Sequence, residues 1–370
     1  YVRIAGVLRE ELLARGEHGQ RIPSVRQIAR RFEVSAGTAD QAVAVLVRQG
    51  LVEQRPRSGN FLVGPRDDRH VAVLIEVDVS HPNTSYSARH IAQERVRRLI
   101  DRGWRARLYP GHLPPDHAAD PTLPRYRETS CPEFLEAVLN RQLRGVVAVT
   151  SDPLEQWCGP LRQQAVPMVG APERFEYGVS HDPPGIVRAG VRRLAERGCR
   201  RIGLMQWVAR VPGIPPLHER VWEAFCAAMV EAGLPIHMPW VRRDLPPSHP
   251  GAGWESFREL WTAEREKPDG LLVLDDNLMR DAATGIVQAG VRVPEDLAVV
   301  SLANRGSGIV YPFPVDELVV EVDEIAEGLA DLLDRRMRGE PVETPKRWLP
   351  HTCRFAEAPA SGRASPAVEP

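Results

Sequence analysis

Arg21-Ile22-Pro23-Ser24-Val25-Arg26-Gln27-Ile28-Ala29 breaks one helical pattern and starts another. Ahead of it, Ile4, Val7, Leu8 and Leu12 recur at helical spacing. Within it, Ser24 is placed to cap a second helix whose apolar stripe is Val25, Ile28, Ala29 and Phe32. Glu33-Val34 reads as a turn. Ser35 then caps a third helix, with Ala39, Ala42, Val43 and Leu46 facing inward and Gly50 ending it. Two short strands follow, over 51–55 and 60–63, around the turn Pro56-Arg57-Ser58-Gly59. Three helices and a basic hairpin predict a winged helix-turn-helix. The physics suits DNA: a helix fits the major groove with its first residues at base edges, and Arg57 at the hairpin tip can reach phosphates or the minor groove.

Charge supports that division. Residues 1–66 hold eleven Arg against six Asp or Glu, a balance of +5, so the rest of a chain of net charge −1 carries −6. Such asymmetry suits a nucleic-acid-binding head on a body with another task. The 370 residues suggest two or three domains, and 43% hydrophobic with 26% charged residues is the composition of a soluble globular protein. No apolar run approaches the ~20 residues of a membrane helix. No charged-then-apolar leader is read at the start, so the expected compartment is the cytoplasm. Cys131, Cys158, Cys199, Cys226 and Cys353 are scattered without a CxxC pair, which predicts reduced thiols and neither a zinc site nor a disulfide framework.

From residue 1 to 63 the chain resembles the DNA-binding domain of GntR-family transcription regulators. The matching pieces are Tyr1, Ile4-Ala5 and Leu8-Arg9, the stretch from Arg21 to Ala29, Val34-Ser35, Thr38, Ala42, Leu46, Gly50-Leu51-Val52 and Ser58-Gly59. The resemblance implies DNA contacts from Arg26 and, at the start of the recognition helix, from Ser35, Gly37 and Thr38. Ser24, Gln41, Arg55, Arg57 and Gly59 complete the candidate interface. Ala36 stands where many members carry a basic residue, and Asp40 lies on the groove-facing side, where it repels phosphates but can accept from cytosine N4. These departures leave base preference open.

Residues 64–70 are polar with Gly and Pro and read as a linker. From 71 the pattern changes to strands alternating with helices. Strands are expected over 71–77, 106–109, 145–149, 167–169, 201–206, 270–274, 297–301 and 319–322, and one near 348–353. Helices are expected over 87–102, 132–143, 154–164, 186–197, 217–232, 254–264, 277–289 and 324–338. Residues 110–130 read as an inserted Pro-rich loop. Alternation of this kind predicts parallel sheets covered on both faces, here in two α/β lobes of about 71–180 and 182–304, with the C-terminal segment crossing back. Residues 356–370 predict a disordered tail.

This body, 71–355, resembles the LacI-type effector-binding domain, built like periplasmic sugar-binding proteins. The best local match is Asp276-Asn277-Leu278-Met279 with Gly290-Val291-Arg292-Val293-Pro294-Glu295-Asp296-Leu297. Asp182, Gly185, Leu194, Gly198–Leu204 and Gly145–Val149 match further. A GntR-type head on a LacI-type body is a known combination, seen in regulators similar to the arabinose repressor of bacilli.

Ligands of open α/β sheets sit at the carboxyl ends of the strands. Ser80, Asn83 and Tyr86 follow the first strand of the body, Trp207 opens the second lobe's loops, and Asp276 and Asn304 follow later strands. The resemblance makes Asp276 a ligand contact; as a helix start it also reads as an N-cap. Trp207 reads as a stacking platform for a sugar ring or as a core or lobe-interface tryptophan. Arg220 lies one residue from the position where many relatives carry a ligand-gripping arginine, so it either points into the cleft or forms a surface ion pair.

No catalytic or metal site is expected. Gly178-Val179-Ser180-His181-Asp182 holds Ser, His and Asp, but consecutive residues cannot assemble a triad. No Walker loop and no GxGxxG after a strand is present, and neither Lys267 nor Lys346 sits in a pyridoxal-phosphate motif. The resulting expectation is a ligand-responsive repressor of carbohydrate-utilisation genes. It needs no cofactor, forms a homodimer, and has double-stranded operator DNA and a sugar or sugar derivative as partners. The rivals are a solute-binding module without DNA and an enzyme on the same body.

Overall fold

The computed structural model describes residues 1–15, 20–48, 51–55, 58–62, 69–81, 84, 86–113, 129–149, 151–206, 217–243 and 251–356. Gly50, Arg57, Val63, Asn83, Trp207, the linker over 64–68 and the tail over 357–370 therefore lie outside the described residues. Tyr1–Arg69 and His70–Pro370 form separate compact units, the head and the body.

In the head, helix α1 (Val2–Arg15) buries Ala5 and Leu8, α2 (Val25–Arg31) buries Ile28, and α3 (Ala36–Arg48) buries Ala39, Ala42, Val43 and Leu46. Strands β1 (Val52–Arg55) and β2 (Gly59–Leu62) pair antiparallel, with Val52 opposite Leu62 and Arg55 opposite Gly59. The hairpin differs from the expected one at its ends. Leu51 is a buried plug whose N–H donates to Leu46 O at 3.0 Å, closing α3, while Gly59 joins the second strand.

Ser24 caps α2 reciprocally. Its Oγ accepts from Gln27 N at 3.3 Å, and Gln27 Oε1 accepts from Ser24 N at 2.8 Å. Such a box satisfies amides that the first helical turn leaves open. Ser24→Ala is expected to lower head stability by about 1 kcal/mol, read as an earlier urea midpoint with unchanged slope.

The body begins with β3 (His70–Val77), α4 (Tyr86–Asp101), β4 (Ala106–Leu113), α5 (Pro132–Leu139), β5 (Leu143–Val149), α6 (Glu155–Gln163), β6 (Met168–Val169) and β7 (Gly178–His181). Strands β4-β3-β5-β6 lie in that order, all parallel, and a Gly170–Gly178 bridge continues the first-lobe sheet to β7. The second lobe follows with α7 (Pro183–Glu196), β8 (Ile202–Met205), α8 (Leu217–Glu231), β9 (Val241–Arg242), α9 (Ala252–Thr262), β10 (Gly270–Val273), α10 (Asp276–Gln288), β11 (Ala298–Asn304) and β12 (Asp316–Val320). Helix α11 (Val322–Met337) returns to pack on α4 and β5 of the first lobe. Strand β13 (Lys346–Leu349) pairs parallel with β7, and β14 (Thr352–Arg354) pairs antiparallel with β12. The second sheet is thus ordered β14-β12-β11-β10-β8-β9. The chain crosses between lobes at His181-Asp182, at Glu321 and at Pro350-His351.

Several expected bounds move. The helix expected to reach 143 stops at Leu139, because Arg141 takes φ 56° and Leu143 opens a buried strand. The strand expected to end at 109 runs to Leu113. The strand expected near 348–353 is two strands in different sheets, and the second lobe extends past 304 through β12. Both β7 and β9 are too short to show a periodicity of their own.

One apolar cluster runs through both lobes, joining Val73 and Val147 to Val179, Leu329, Leu204, Leu272 and Val300. A polar knot lies beside it. Asp316, with no side-chain exposure, accepts from Arg193 Nε at 2.7 Å and from Arg197 Nε at 2.6 Å and Nη2 at 2.7 Å. Ala356 N also donates to Asp316 Oδ1 at 2.9 Å. The cysteines are all free: Cys131, Cys158 and Cys199 are buried and Cys353 is exposed. Burial pushes the first of these thiols up to about 11 and Cys158 up to about 12, so both stay protonated at neutral pH.

Candidate functional site

The head presents an exposed polar ridge. Ser35 Oγ lies 2.9 Å from Thr38 Oγ1 and accepts from Thr38 N at 3.2 Å, which orders the start of α3. Gly37, Asp40 and Gln41 are exposed there while Ala39, Ala42 and Val43 are buried, so the outward face of α3 is free to meet a groove. Space around Gly37 is open: a Cβ added there would meet only Ser35 Oγ within 4 Å, at 3.8 Å. Ser24 and Arg26 are exposed at the start of α2. Arg31 holds α2 to α1 through Glu11, with Nη1 2.7 Å from Oε2.

The hairpin adds two observations. Arg55 lies over the Phe61 ring at 4.8 Å and pairs with Glu53 at 3.0 Å, so its charge is partly answered within the wing. Gly59 has φ +109°, and its missing side chain leaves room for Arg21, whose Nε is 3.0 Å from an ideal Cβ position. Arg21 is a basic group at the wing that the sequence did not single out. Its signal was its bridge partner Phe61, forty residues away in the chain.

In the body the polar groups gather at the carboxyl edge of the second-lobe sheet. Asp275, not Asp276, caps α10: its Oδ1 accepts from Asn277 N at 2.9 Å and Leu278 N at 3.0 Å. The capping alternative for Asp276 is thereby corrected. Asp276 opens the helix, is 1% exposed, and accepts from Asn304 Nδ2 at 2.9 Å through Oδ2. Its other oxygen, Oδ1, is buried without a hydrogen-bond partner. Burial raises both carboxyls above the ordinary aspartate range. For Asp275 the neighbouring Asp276 adds to the rise, and for Asp276 the Asn304 amide opposes it. Burial, then the charge of Asp276, also raises the Tyr311 phenol.

The other expected ligand residues that are described each have contacts of their own. Ser80 is exposed and spends its N–H and Oγ–H on Asp78 Oδ1, at 2.8 and 2.6 Å, in a local turn. Tyr86 stacks on His90 with centroids 5.1 Å apart, and its hydroxyl lies 2.5 Å from where a Cβ on Gly306 of the second lobe would stand. It therefore touches the opposite lobe. Arg220 is exposed and sits over the Trp348 ring at 5.7 Å, again across the lobes. Arg305 pairs with Glu321 at 2.6 Å at a lobe crossing. Gln206, which follows β8 and was not anticipated, is 4% exposed with neither amide atom bonded. Among the described residues no His, Cys, Asp and Glu cluster could hold a metal ion, and no helix is long and apolar enough to cross a membrane.

A winged helix-turn-helix unit joined to a two-lobed parallel α/β unit with buried polar groups at a strand edge defines the class of ligand-sensing DNA-binding regulators. Residues 1–62 match the family described as bacterial regulatory proteins, gntR family, and residues 191–355 match the periplasmic binding protein-like domain. The chain is accordingly a transcription regulator with a gntR-family head and a periplasmic binding protein-like body.

It is 24% identical over 231 residues to catabolite control protein A of Priestia megaterium, covering 61% of this chain and 67% of that one. Among solved structures it resembles a transcriptional regulator CelR–cellobiose complex, with TM-score 0.61 and 19% identity over 90% of this chain and 99% of that one. It also resembles the transcription regulator GntR of Chromobacterium violaceum, with TM-score 0.59 and 22% identity over 78% and 98%. At these identities the structural matches speak for the fold.

Proposed function

We propose that this regulator is an effector-controlled repressor of carbohydrate-utilisation genes. The head binds an operator through the starts of α2 and α3 and through the wing, and the chain acts as a homodimer on a palindromic site. A sugar or sugar derivative binds between the lobes of the body and alters operator affinity. The effector must favour one lobe arrangement over the other for this to work. DNA binding assigns it to the bacterial cytoplasm, where it works as a sensor and not as a catalyst.

The observation that carries this reading is Asp276 Oδ1, a buried acceptor left open at the edge where α/β sheets take ligands. A buried acceptor without a donor is costly, and a ligand hydroxyl supplies the donor. The cellobiose held by one structural relative agrees with a saccharide. The test is operator binding by the full chain with and without a library of saccharides. A saccharide that changes operator affinity supports the proposal, and a library without effect overturns it.

The head makes its own prediction. Arg26 is exposed at the start of α2, while Arg9 is exposed on α1. Arg26→Ala is expected to weaken operator binding by about 1–3 kcal/mol, the range for a bidentate base contact, and Arg9→Ala by much less. Fluorescence anisotropy with a labelled operator checks this, and equal affinity of the two variants removes Arg26 from the interface. Affinity of the parent should fall linearly in log salt.

A further inference from the structure

Gln206 stands one residue beyond β8, next to the strand that leads to Asp276. Met205 pairs with Val273 in the sheet, and Leu274 N donates to Met205 O at 2.9 Å. Gln206 is anchored by its backbone, whose N–H donates to Arg242 O at 2.9 Å. Its side chain is 4% exposed, yet Oε1 and Nε2 both lack a partner. Strand alternation puts it on the side of Ile202 and Leu204, which belong to the apolar cluster shared with the first lobe, whereas Met205 packs on the opposite face. An open donor and an open acceptor on Gln206 thus accompany the open acceptor of Asp276 on neighbouring strand ends.

Charge narrows what could fill them. Among the described residues at this edge, the cationic side chains face carboxylates or aromatic rings, although Arg243 Nε has no hydrogen-bond partner. Arg242 lies 3.3 Å from Glu259, Arg305 pairs with Glu321, Arg220 lies over Trp348, and Arg243 lies over Trp222 at 4.8 Å. The acidic pair Asp275 and Asp276 repels an anion. A hydroxyl both donates and accepts, so two adjacent hydroxyls can satisfy the two ends of one carboxamide.

We propose that Gln206 is a specificity-determining residue of the effector site, gripping two neighbouring hydroxyls of an uncharged polyhydroxylated ligand beside the hydroxyl taken by Asp276. The inference rests on the effector reading above and deepens it: the ligand is a free saccharide and not its phosphate ester. It also makes Gln206 a residue that costs stability while the site is empty, since a buried amide without partners is unfavourable.

The experiment uses the full chain, as parent and as Gln206→Met, a side chain of similar length without the polar atoms. Calorimetric Tm and isothermal titration are measured with cellobiose, glucose, ribose and glucose 6-phosphate. The expected result has three parts. The ligand-free Tm of the variant rises by a few degrees, its affinity for the saccharide that binds the parent falls at least tenfold, and glucose 6-phosphate binds the parent more weakly than glucose.

A variant that binds that saccharide as tightly as the parent overturns the role of Gln206 and leaves the effector reading standing. Tighter binding of the phosphate ester overturns the uncharged class. A panel in which no saccharide binds the parent or changes operator affinity overturns the effector reading and this inference together. If the variant has a lower ligand-free Tm, Gln206 is a structural residue and the proposal fails. Gln206→Leu repeats the comparison with a second apolar shape, so that a packing defect peculiar to methionine does not decide the outcome.

Discussion

Asp276→Asn is expected to leave the fold and operator binding intact while weakening effector binding by about tenfold to about 150-fold, the equivalent of roughly 1.5–3 kcal/mol for a hydrogen bond to a charged group. Helix α10 is safe because its cap is Asp275, whose Oδ1 holds the N–H groups of Asn277 and Leu278. The amide can still offer an oxygen to Asn304 Nδ2, as Asp276 Oδ2 does. Its NH2 then takes the place of Oδ1, so a hydroxyl that donated to a carboxylate loses the charge assistance and must turn round. Calorimetric titration of the effector and operator binding, each on parent and variant, separate the two functions. Unchanged effector affinity would remove Asp276 from the site. The carboxyl sits above its ordinary range because of burial. A donated ligand hydroxyl favours its charged form, so effector affinity of the parent should weaken as pH falls through that raised value.

Asp316→Ala is expected to be the most destabilising single change in the body. The carboxylate is fully buried between Arg193 and Arg197, and its removal leaves two guanidinium groups facing an empty site. Breaking a buried pair in this way costs about 3–5 kcal/mol, or a fall in Tm on the order of 10 °C for a unit of this size. The change also frees the N–H of Ala356. Burial pushes the Asp316 carboxyl up, but the hydrogen bonds from Arg197 and Arg193 outweigh it and hold the carboxyl below its ordinary 3.8. A depressed folded value means that this stabilisation is complete above the ordinary value and is lost as pH falls through the depressed one. The gap in Tm between the parent and Asp316→Asn should therefore hold at neutral pH and narrow in acid below about pH 4. A variant as stable as the parent at pH 7 would show that the two arginines find other partners.

Much of the head was legible in the chain because its signals are local. Ser24 and Gln27 are three residues apart, and so are Ser35 and Thr38; the apolar stripe of α3 repeats within thirteen residues. Spacing alone carries such information. The alternation of strands and helices in the body was legible for the same reason. The exceptions are short strands such as β9, whose two residues show no period, and the final segment, where partners in different sheets divide β13 from β14.

The site was less legible. Two adjacent aspartates look alike in a sequence, and only the turn of the backbone into α10 gives the cap to Asp275 and buries Asp276 against Asn304, twenty-eight residues on. Arg220 meets Trp348, and Tyr86 meets Gly306, because the chain crosses between the lobes more than once. Gln206 reads as an ordinary polar residue at the end of an expected strand until the packing closes over it. The sequence by itself determined the winged head, the parallel α/β body and the strand ends where polar groups cluster, since hydrophobic periodicity and capping act over a few residues. Which of those groups are paired and which are left open was decided by tertiary structure alone, because hydrogen-bond satisfaction depends on neighbours brought together from distant parts of the chain.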